Sequence, residues 1–271
     1  MQRLTSSIDL GANEVQTITT SVVDVNEVQI ITTSTSKLNE IQEITVSPPS
    51  GALELDPSWS YALQLDTSSV GGSLQYSGQI SSTAPASGSR DSLAEKISSM
   101  MNVDNGVIVT KSSQNNDGGY TYAVTFPYSM KNPPVMEVFL SDIPVRIDTV
   151  EEGNLISGSF RLGFEGEVTE DINFDADASE MQTKLENLST IESVNVYRGP
   201  ADDQNGYSWE IEFTSNLNSG DLSDLVTYNS GLSSSNPSGE TILQVIEGGT
   251  DGSYIRGSFK LEFGKYLILF R

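Results

Sequence analysis

The 271-residue sequence contains no cysteine and no histidine. Without cysteine there are no disulfides, thiolate metal sites or iron–sulfur clusters, and without histidine neither a Ser-His-Asp nor a Cys-His catalytic centre can be built. Positive charge is scarce, with 14 Lys+Arg against 37 Asp+Glu and a formal net charge of -23. Such a surface repels phosphate backbones and anionic lipid, so no nucleic-acid partner is expected. No apolar run is long enough for a membrane-spanning helix, and none is expected. The first residues also lack the charged-then-apolar pattern of a secretion signal, so the chain reads either as not secreted as written or as a piece of something longer. What is present is a composition of 36% hydrophobic and only 19% charged residues. That suits a β-rich globular protein, and the length allows about two domains, each with its own core.

Self-similarity organises the chain at two scales. Asn13-Glu14-Val15-Gln16-Thr17-Ile18-Thr19-Thr20-Ser21 returns as Asn26-Glu27-Val28-Gln29-Ile30-Ile31-Thr32-Thr33-Ser34 and again as Asn39-Glu40-Ile41-Gln42-Glu43-Ile44-Thr45-Val46-Ser47, with a step of 13 residues. A weaker copy, Gln2 to Ser7, matches the end of this unit, as if the chain opened inside a longer array. Thr and β-branched Val and Ile dominate, which favours short strands. A helix using Val15, Ile18, Val22, Val25 and Val28 as its apolar stripe is the alternative, opposed by the Ser/Thr content. One unit is too small to bury its own side chains, so it is expected to stack on its neighbours as a solenoid rung or to lie as a ribbon on another surface.

The second repeat is domain-sized. Gly158-Ser159-Phe160-Arg161-Leu162-Gly163-Phe164 recurs 99 residues on as Gly257-Ser258-Phe259-Lys260-Leu261-Glu262-Phe263. Leu93, Lys96 and Ile97 align with Met181, Lys184 and Leu185, and Val107, Val109, Tyr120, Tyr122, Val124 and Phe126 align with Val194, Val196, Tyr207, Trp209, Ile211 and Phe213. The expected organisation is a β-rich repeat segment at 1–50, a diverged domain copy at 51–150, a cleaner copy at 151–249, and the opening strand of a third copy, or an exchanged strand, at 250–271. Within a copy, the strand Phe160, Leu162, Phe164 (Tyr61, Leu63, Leu65 in the first) precedes a strand near Ile172–Phe174. A helix then bears Met181, Leu185 and Leu188 (Leu93, Ile97 and Met100 in the first copy), capped by Asp177 with Glu180, or by Ser89. Strands follow at Val194–Val196, Tyr207–Phe213 and Leu243–Val245. The expected class is α+β, β-rich: tandem β-β-α-β-β-β domains, each with a helix on one mostly antiparallel sheet, with all-β sandwiches as the alternative.

Chemistry-bearing candidates are few, and each has a structural explanation beside it. Asp202, Asp203 and Asn205, with Asp117 in the matching loop, are oxygen-rich and offer calcium ligands, but Asn, Asp and Gly are also what a tight hairpin demands. Apart from this calcium option no cofactor is expected. Asp171, Asp175 and Asp177 form a second acidic set, for which helix capping suffices. Paired carboxylates suit glycoside hydrolysis, yet so many acids carry no specificity, and the chain is not expected to be an enzyme. Tyr207 and Trp209, echoed by Tyr120 and Tyr122, have the chemistry of a sugar-stacking platform, while alternation with Ser208, Glu210 and Glu212 assigns them to a core. Asn187-Leu188-Ser189 is a glycosylation sequon that is usable only on an exposed turn. Phe259, Leu261, Phe263, Tyr266, Leu267, Ile268, Leu269 and Phe270 form a candidate assembly strand, too apolar to stand alone. It is expected to pair with an existing sheet of its own chain, to complete a domain in another chain by strand addition, or to remain an aggregation hazard.

The Gly158–Phe164 run, with Ile172-Asn173-Phe174-Asp175-Ala176-Asp177-Ala178-Ser179-Glu180-Met181-Gln182 after it, resembles a repeat of very large secreted or surface proteins of protists and some bacteria. The Glu-Val-Gln-Thr-Ile-Thr-Thr-Ser unit is similar to the short array that accompanies such repeats in protists bearing flagellar hairs. The resemblance implies an extracellular or cell-surface location and a building block of a fibre, with tubular flagellar hairs (mastigonemes) as one candidate; its partners are then copies of itself or related repeat proteins. It supplies no catalytic motif. The alternative expectation is a modular adhesin or carbohydrate-binding protein with calcium-stabilised loops and a glycan partner.

Overall fold

A computed structural model describes residues 3–7, 15–263 and 266–270. In the N-terminal segment the strands are β1 (Arg3–Ser7), β2 (Val15–Thr19), β3 (Val28–Thr35) and β4 (Ile41–Val46). The first large unit adds β5 (Ser60–Asp66), β6 (Leu74–Ser81), helix α1 (Leu93–Ser98), β7 (Ile108–Lys111), β8 (Tyr120–Thr125), β9 (Glu137–Ser141) and β10 (Val145–Glu151). The second adds β11 (Ile156–Phe164), β12 (Glu167–Val168), β13 (Ile172–Asn173), helix α2 (Ala178–Glu186), β14 (Val194–Arg198), β15 (Ser208–Phe213), β16 (Val226–Tyr228), β17 (Leu232–Ser234) and β18 (Thr241–Thr250). β19 (Phe259–Phe263) and β20 (Tyr266–Phe270) end the chain. The protein is β-rich, and every strand pairing among the described residues is antiparallel.

Each large unit encloses a core between two sheets. In the first, the order β10-β4-β8-β7 faces β6-β5-β9; in the second, β14-β15-β3-β18 faces a sheet built on β11, along which β12, β13, β16 and β17 pair. The strand alternation read from the sequence places Phe160, Leu162 and Phe164 inside, packed with Trp209, Ile211 and Phe213 of the opposite sheet. Phe160 meets Trp209 at 5.6 Å between ring centroids, and Phe164 meets Phe213 at 5.3 Å. In the first unit Tyr61, Leu63 and Leu65 share a core with Tyr122, Val124 and Phe126. The short helices contact strands of both sheets, α1 against β6 and β7, α2 against β13 and β14. The expected helix over a single sheet is thus replaced by two facing sheets. The turn-rich stretch after Phe213 supplies β16 and β17, which extend the β11 sheet.

The N-terminal strands have a different fate from the one expected. β3 lies between β15 and β18, and β4 lies between β8 and β10. Neither stacks on its neighbour as a rung, and neither is a ribbon laid on a surface; each is an interior strand of a sheet otherwise formed by residues far along the chain. Their alternation explains it: Gln29, Ile31, Thr33 and Thr35 are buried in β3, and Gln42, Ile44 and Val46 in β4. The registers correspond, Ile31 opposite Trp209 and Ile44 opposite Tyr122.

One further expectation is corrected. The cap of α1 is Ser92, whose hydroxyl accepts from Glu95 N at 3.4 Å, because Ser89 is engaged one turn earlier, its carbonyl accepting from Ser92 N. In α2 the capping residue is Asp177, accepting from Glu180 N at 2.8 Å. The terminal strand β19 pairs with β20 in a two-stranded sheet, Phe259 opposite Phe270 and Phe263 opposite Tyr266.

Because Ile31 and Ile44 are fully buried, their truncation acts at a distance in sequence. Ile31→Ala is expected to destabilise the second unit and Ile44→Ala the first, each by about 2–5 kcal/mol. Urea unfolding checks this, with Trp209 fluorescence reporting the second core and Trp59 the first.

Candidate functional site

The inserted strands carry a buried polar pair. Interior positions of a strand are ordinarily apolar, yet Glu27, Gln29, Glu40 and Gln42 are each buried. Buried amides and carboxylates are tolerated only when their hydrogen bonds are made, and here they are. Gln42 Nε2 donates to Pro134 O at 3.1 Å, and its Oε1 accepts from Met136 N at 2.9 Å, so the side chain closes onto the backbone leading into β9. Gln29 does the same on the loop before β16, Nε2 donating to Ser223 O at 3.1 Å and Oε1 accepting from Leu225 N at 2.8 Å. Each Gln also donates to the Glu two residues earlier, at 3.0 Å for Glu40 and 3.2 Å for Glu27.

The two glutamates reach forward into a later segment of chain. Glu40 Oε2 accepts from Gly153 N at 2.9 Å, and Glu27 Oε2 accepts from Gly252 N at 2.7 Å. Glycine is required at both points, because a Cβ on Gly153 would lie 1.8 Å from Lys131 O and one on Gly252 would lie 1.9 Å from Gly220 O. Lys131 and Gly220, the residues crowded there, both have positive φ. The result is a latch: one Glu-x-Gln pair ties an inserted strand to a loop of its own unit and to the first residues of the succeeding segment. Burial pushes the Glu40 carboxyl above its ordinary range, with Glu152 adding to the rise, against the lowering by the Gly153, Gln42 and Thr149 hydrogen bonds.

Beside the second latch, oxygens of Glu27, Asp221 and Asp251 lie within 4.8 Å of one another. It is the one such group of three among the described residues. Its members come from the short array, a loop and the stretch after β18, so no local motif announces them. Arg256 Nη2 stands 3.5 Å from Asp221 Oδ2 and partly balances the charge. At the junction of the units a cavity of about 530 Å³ is lined by residues that include Asn102, Asp104, Lys131 and Asn132 of the first and Leu155 and Asn205 of the second.

The residues singled out from sequence are dispersed. Asp202 and Asp117 sit in separate loops. Asp202 Oδ1 accepts from Gln204 N and Gly206 N at 2.8 and 2.7 Å, the bonding of a tight turn, while Asn205, at φ 64, meets Lys131 Nζ. Asp203 is exposed. In the matching loop Asn115 takes the turn role, accepting from Asp117 N and Gly119 N, and Asp117 is exposed. Asp171 pairs with Arg161 at 3.1 Å, and Asp175 lends its carbonyl to Arg198. Trp209 and Tyr122 are fully buried, so their run is core and not a sugar platform; Trp209 Nε1 donates to Ala176 O and Tyr122 Oη to Ala84 O. Asn187 is exposed at the end of α2, while the sequon's Ser189 donates through both N and Oγ to Glu167. Of the proposed assembly strand, Phe259 and Leu261 are half-buried; the side chains of Phe263, Tyr266, Leu267, Ile268, Leu269 and Phe270 lie outside those described. Sequence reasoning missed the latch, although its signal was present: the Glu-x-Gln pair recurs in all three short units at positions where alternation demands apolar residues.

No protein-family model matches the chain, and no curated protein matches it. Among the described residues no helix is long and apolar enough to cross a membrane. Fold and site together define a β-rich, antiparallel protein in which N-terminal strands are built into the sheets of later units.

Removing a latch amide orphans buried backbone groups. Gln42→Ala is expected to destabilise the first unit, and Gln29→Ala the second, by about 1–3 kcal/mol for each group left unsatisfied, measured by urea unfolding. The raised Glu40 pKa sets a sign. Its contribution to stability is full below the ordinary value of 4.5 and is lost as pH rises through the raised folded value. The stability of the wild type relative to Glu40→Gln is therefore expected to fall as pH rises above 4.5. A series of urea midpoints across pH checks this, and a flat difference would contradict it.

Proposed function

We propose that the chain is a structural, non-catalytic subunit of an extracellular filament, flagellar hair or surface coat, assembling through tandem domains and strand pairing. The observation that carries this reading is the insertion of two neighbouring short units as interior strands of the two larger ones, in reverse order, β3 into the second and β4 into the first. Interior strands contribute hydrogen bonds on both edges and a buried face, so a domain that takes one from a distant segment is bound to whatever that segment is bound to. The units on this thread read as tandem copies of one β-rich fold, the arrangement from which head-to-tail contacts make open fibres.

The junction between the units supports the same reading. Asn154 Nδ2, at the start of the second unit, donates to Thr35 Oγ1 and Ser36 O at 2.9 and 2.7 Å, at the end of the strand the second unit takes in. Gln204 Nε2 of the second unit donates to Tyr128 O of the first, and Lys37 Nζ lies 4.7 Å from the Tyr128 ring centre. Neighbouring units are thus joined by the thread, the covalent link and direct contacts. The absence of cysteine means that durability outside a cell rests on this packing and bonding.

Electron microscopy of the concentrated protein, averaged for an axial repeat, tests the proposal. Ordered filaments of fixed repeat are expected, and monodisperse monomers at high concentration would overturn self-assembly.

A further inference from the structure

Two of the three short units are built into larger units, and the way they are built in points to the use of the first. The inward-facing, buried residues of the second unit are Glu27, Gln29, Ile31 and Thr33, and those of the third are Glu40, Gln42, Ile44 and Val46. At the same positions the first unit has Glu14, Gln16, Ile18 and Thr20. It matches the second unit at all four. Over the nine-residue motif the two differ only where Thr17 replaces Ile30, and Ile30 is on the outward, half-exposed face. The inward pattern that β3 presents over Glu27–Thr33 is therefore present in the first unit, while beyond the motif Val22 stands where β3 has the buried Thr35. Yet among the described residues β2 is paired with β1 alone, in a two-stranded sheet, and Thr17, Thr19 and Thr20 are exposed.

The junctions say which sheet β2 is directed to. Where the second large unit begins, Gly153 and Asn154 bond to Glu40, Thr35 and Ser36, at the link between the second and third short units. The short unit before that link, β3, enters the domain opened by Gly158–Phe164. Where the next segment begins, Gly252 bonds to Glu27, Ser253 N to Val25 O at 3.0 Å, Ser253 Oγ to Val23 O at 2.7 Å and Val25 N to Ser253 Oγ at 2.9 Å. These bonds hold the link between the first and second short units against the residues leading to Gly257-Ser258-Phe259-Lys260-Leu261-Glu262-Phe263. By the same geometry, the short unit before this link is placed beside the domain that this motif opens.

We propose that β2 is a donor strand, the interior strand of a third domain of the same kind whose first strand is Phe259–Phe263. Its partner is a sheet with an open slot between the counterparts of β15 and β18, and its recognition chemistry is the ladder on both edges, an isoleucine in the core and a Glu-x-Gln latch. The inference goes beyond the filament reading and does not depend on it.

The test extends the full chain: residues 1–263 are followed by residues 165–256 in place of residues 264–271, which supplies the remainder of a third domain. Hydrogen exchange of residues 15–20 is expected to slow to the rate of β3, and a third unfolding transition is expected alongside those of the first two units. Ile18→Asp in the extended chain is expected to abolish that third transition while leaving the other two. A third domain that stays unfolded, or that folds equally well with Ile18→Asp, overturns the proposal. In the unextended chain Ile30→Thr makes the second unit's motif identical to the first. A change in the Tm of the second large unit of about 5 °C or less is expected, and loss of its folding would show that the first unit's sequence cannot serve as a donor. Both readouts are made on single chains, so they are indifferent to whether filaments form.

Discussion

The structure depends on a hydrogen-bonding constraint: β15 and β18 in one sheet, and β8 and β10 in the other, are joined only through a strand brought from the N-terminal segment. A buried sheet with an empty slot would leave two rows of backbone N–H and C=O groups without partners, at a cost no core of this size absorbs. Insertion of β3 and β4 satisfies both rows at once. The pairs are far apart in sequence, Glu212 opposite Val28 and Tyr120 opposite Val46, but loop-closure entropy grows only with the logarithm of length. The distance bears on folding rate more than on stability.

The buried Glu-x-Gln pair makes the insertion specific. A strand of alternating Thr, Val and Ile slides easily, since a shift of two residues offers a similar face. Gln29 and Gln42 remove that freedom, because each amide finds both a carbonyl and an N–H only in one register, and a one-residue slip would turn it to the other face. Glu27 and Glu40 extend the same control to a later segment through Gly252 and Gly153, at positions where any side chain would collide with backbone. A polar pair that would weaken an ordinary core thus fixes register and neighbour together, at the expense of the unfavourable burial felt by Glu40.

Much of the fold was legible because it is local. Alternation placed Phe160, Leu162 and Phe164 on one face. The Asp177-x-x-Glu180 spacing announced α2, and the Asn/Asp/Gly loops gave hairpins at Asp202 and Asn115. Trp209 was assigned to a core by its alternation with glutamates, and it is there. The cap of α1 was misplaced by three residues because Ser89 and Ser92 are chemically equal, and only the fold of the preceding loop separates them. The candidate site was legible only as a repetition without a purpose. Glutamate and glutamine recurring in a strand read as surface residues until the loops at Pro134–Met136 and Ser223–Leu225 are seen to receive them.

Side-chain type and spacing along a few consecutive residues were enough to determine the β-rich class, the strand alternation, the helix positions and the exclusion of thiol and imidazole chemistry. Long-range packing was needed to decide that two facing sheets enclose each core, that the short units enter those sheets instead of stacking on one another, and that Glu27, Asp221 and Asp251 meet. The division arises because a strand's pattern specifies which face is buried but not which edges it pairs with. Partner choice is made by backbone groups that every residue shares, and it is resolved only where distant side chains such as Gln29 and Gln42 find their bonding partners.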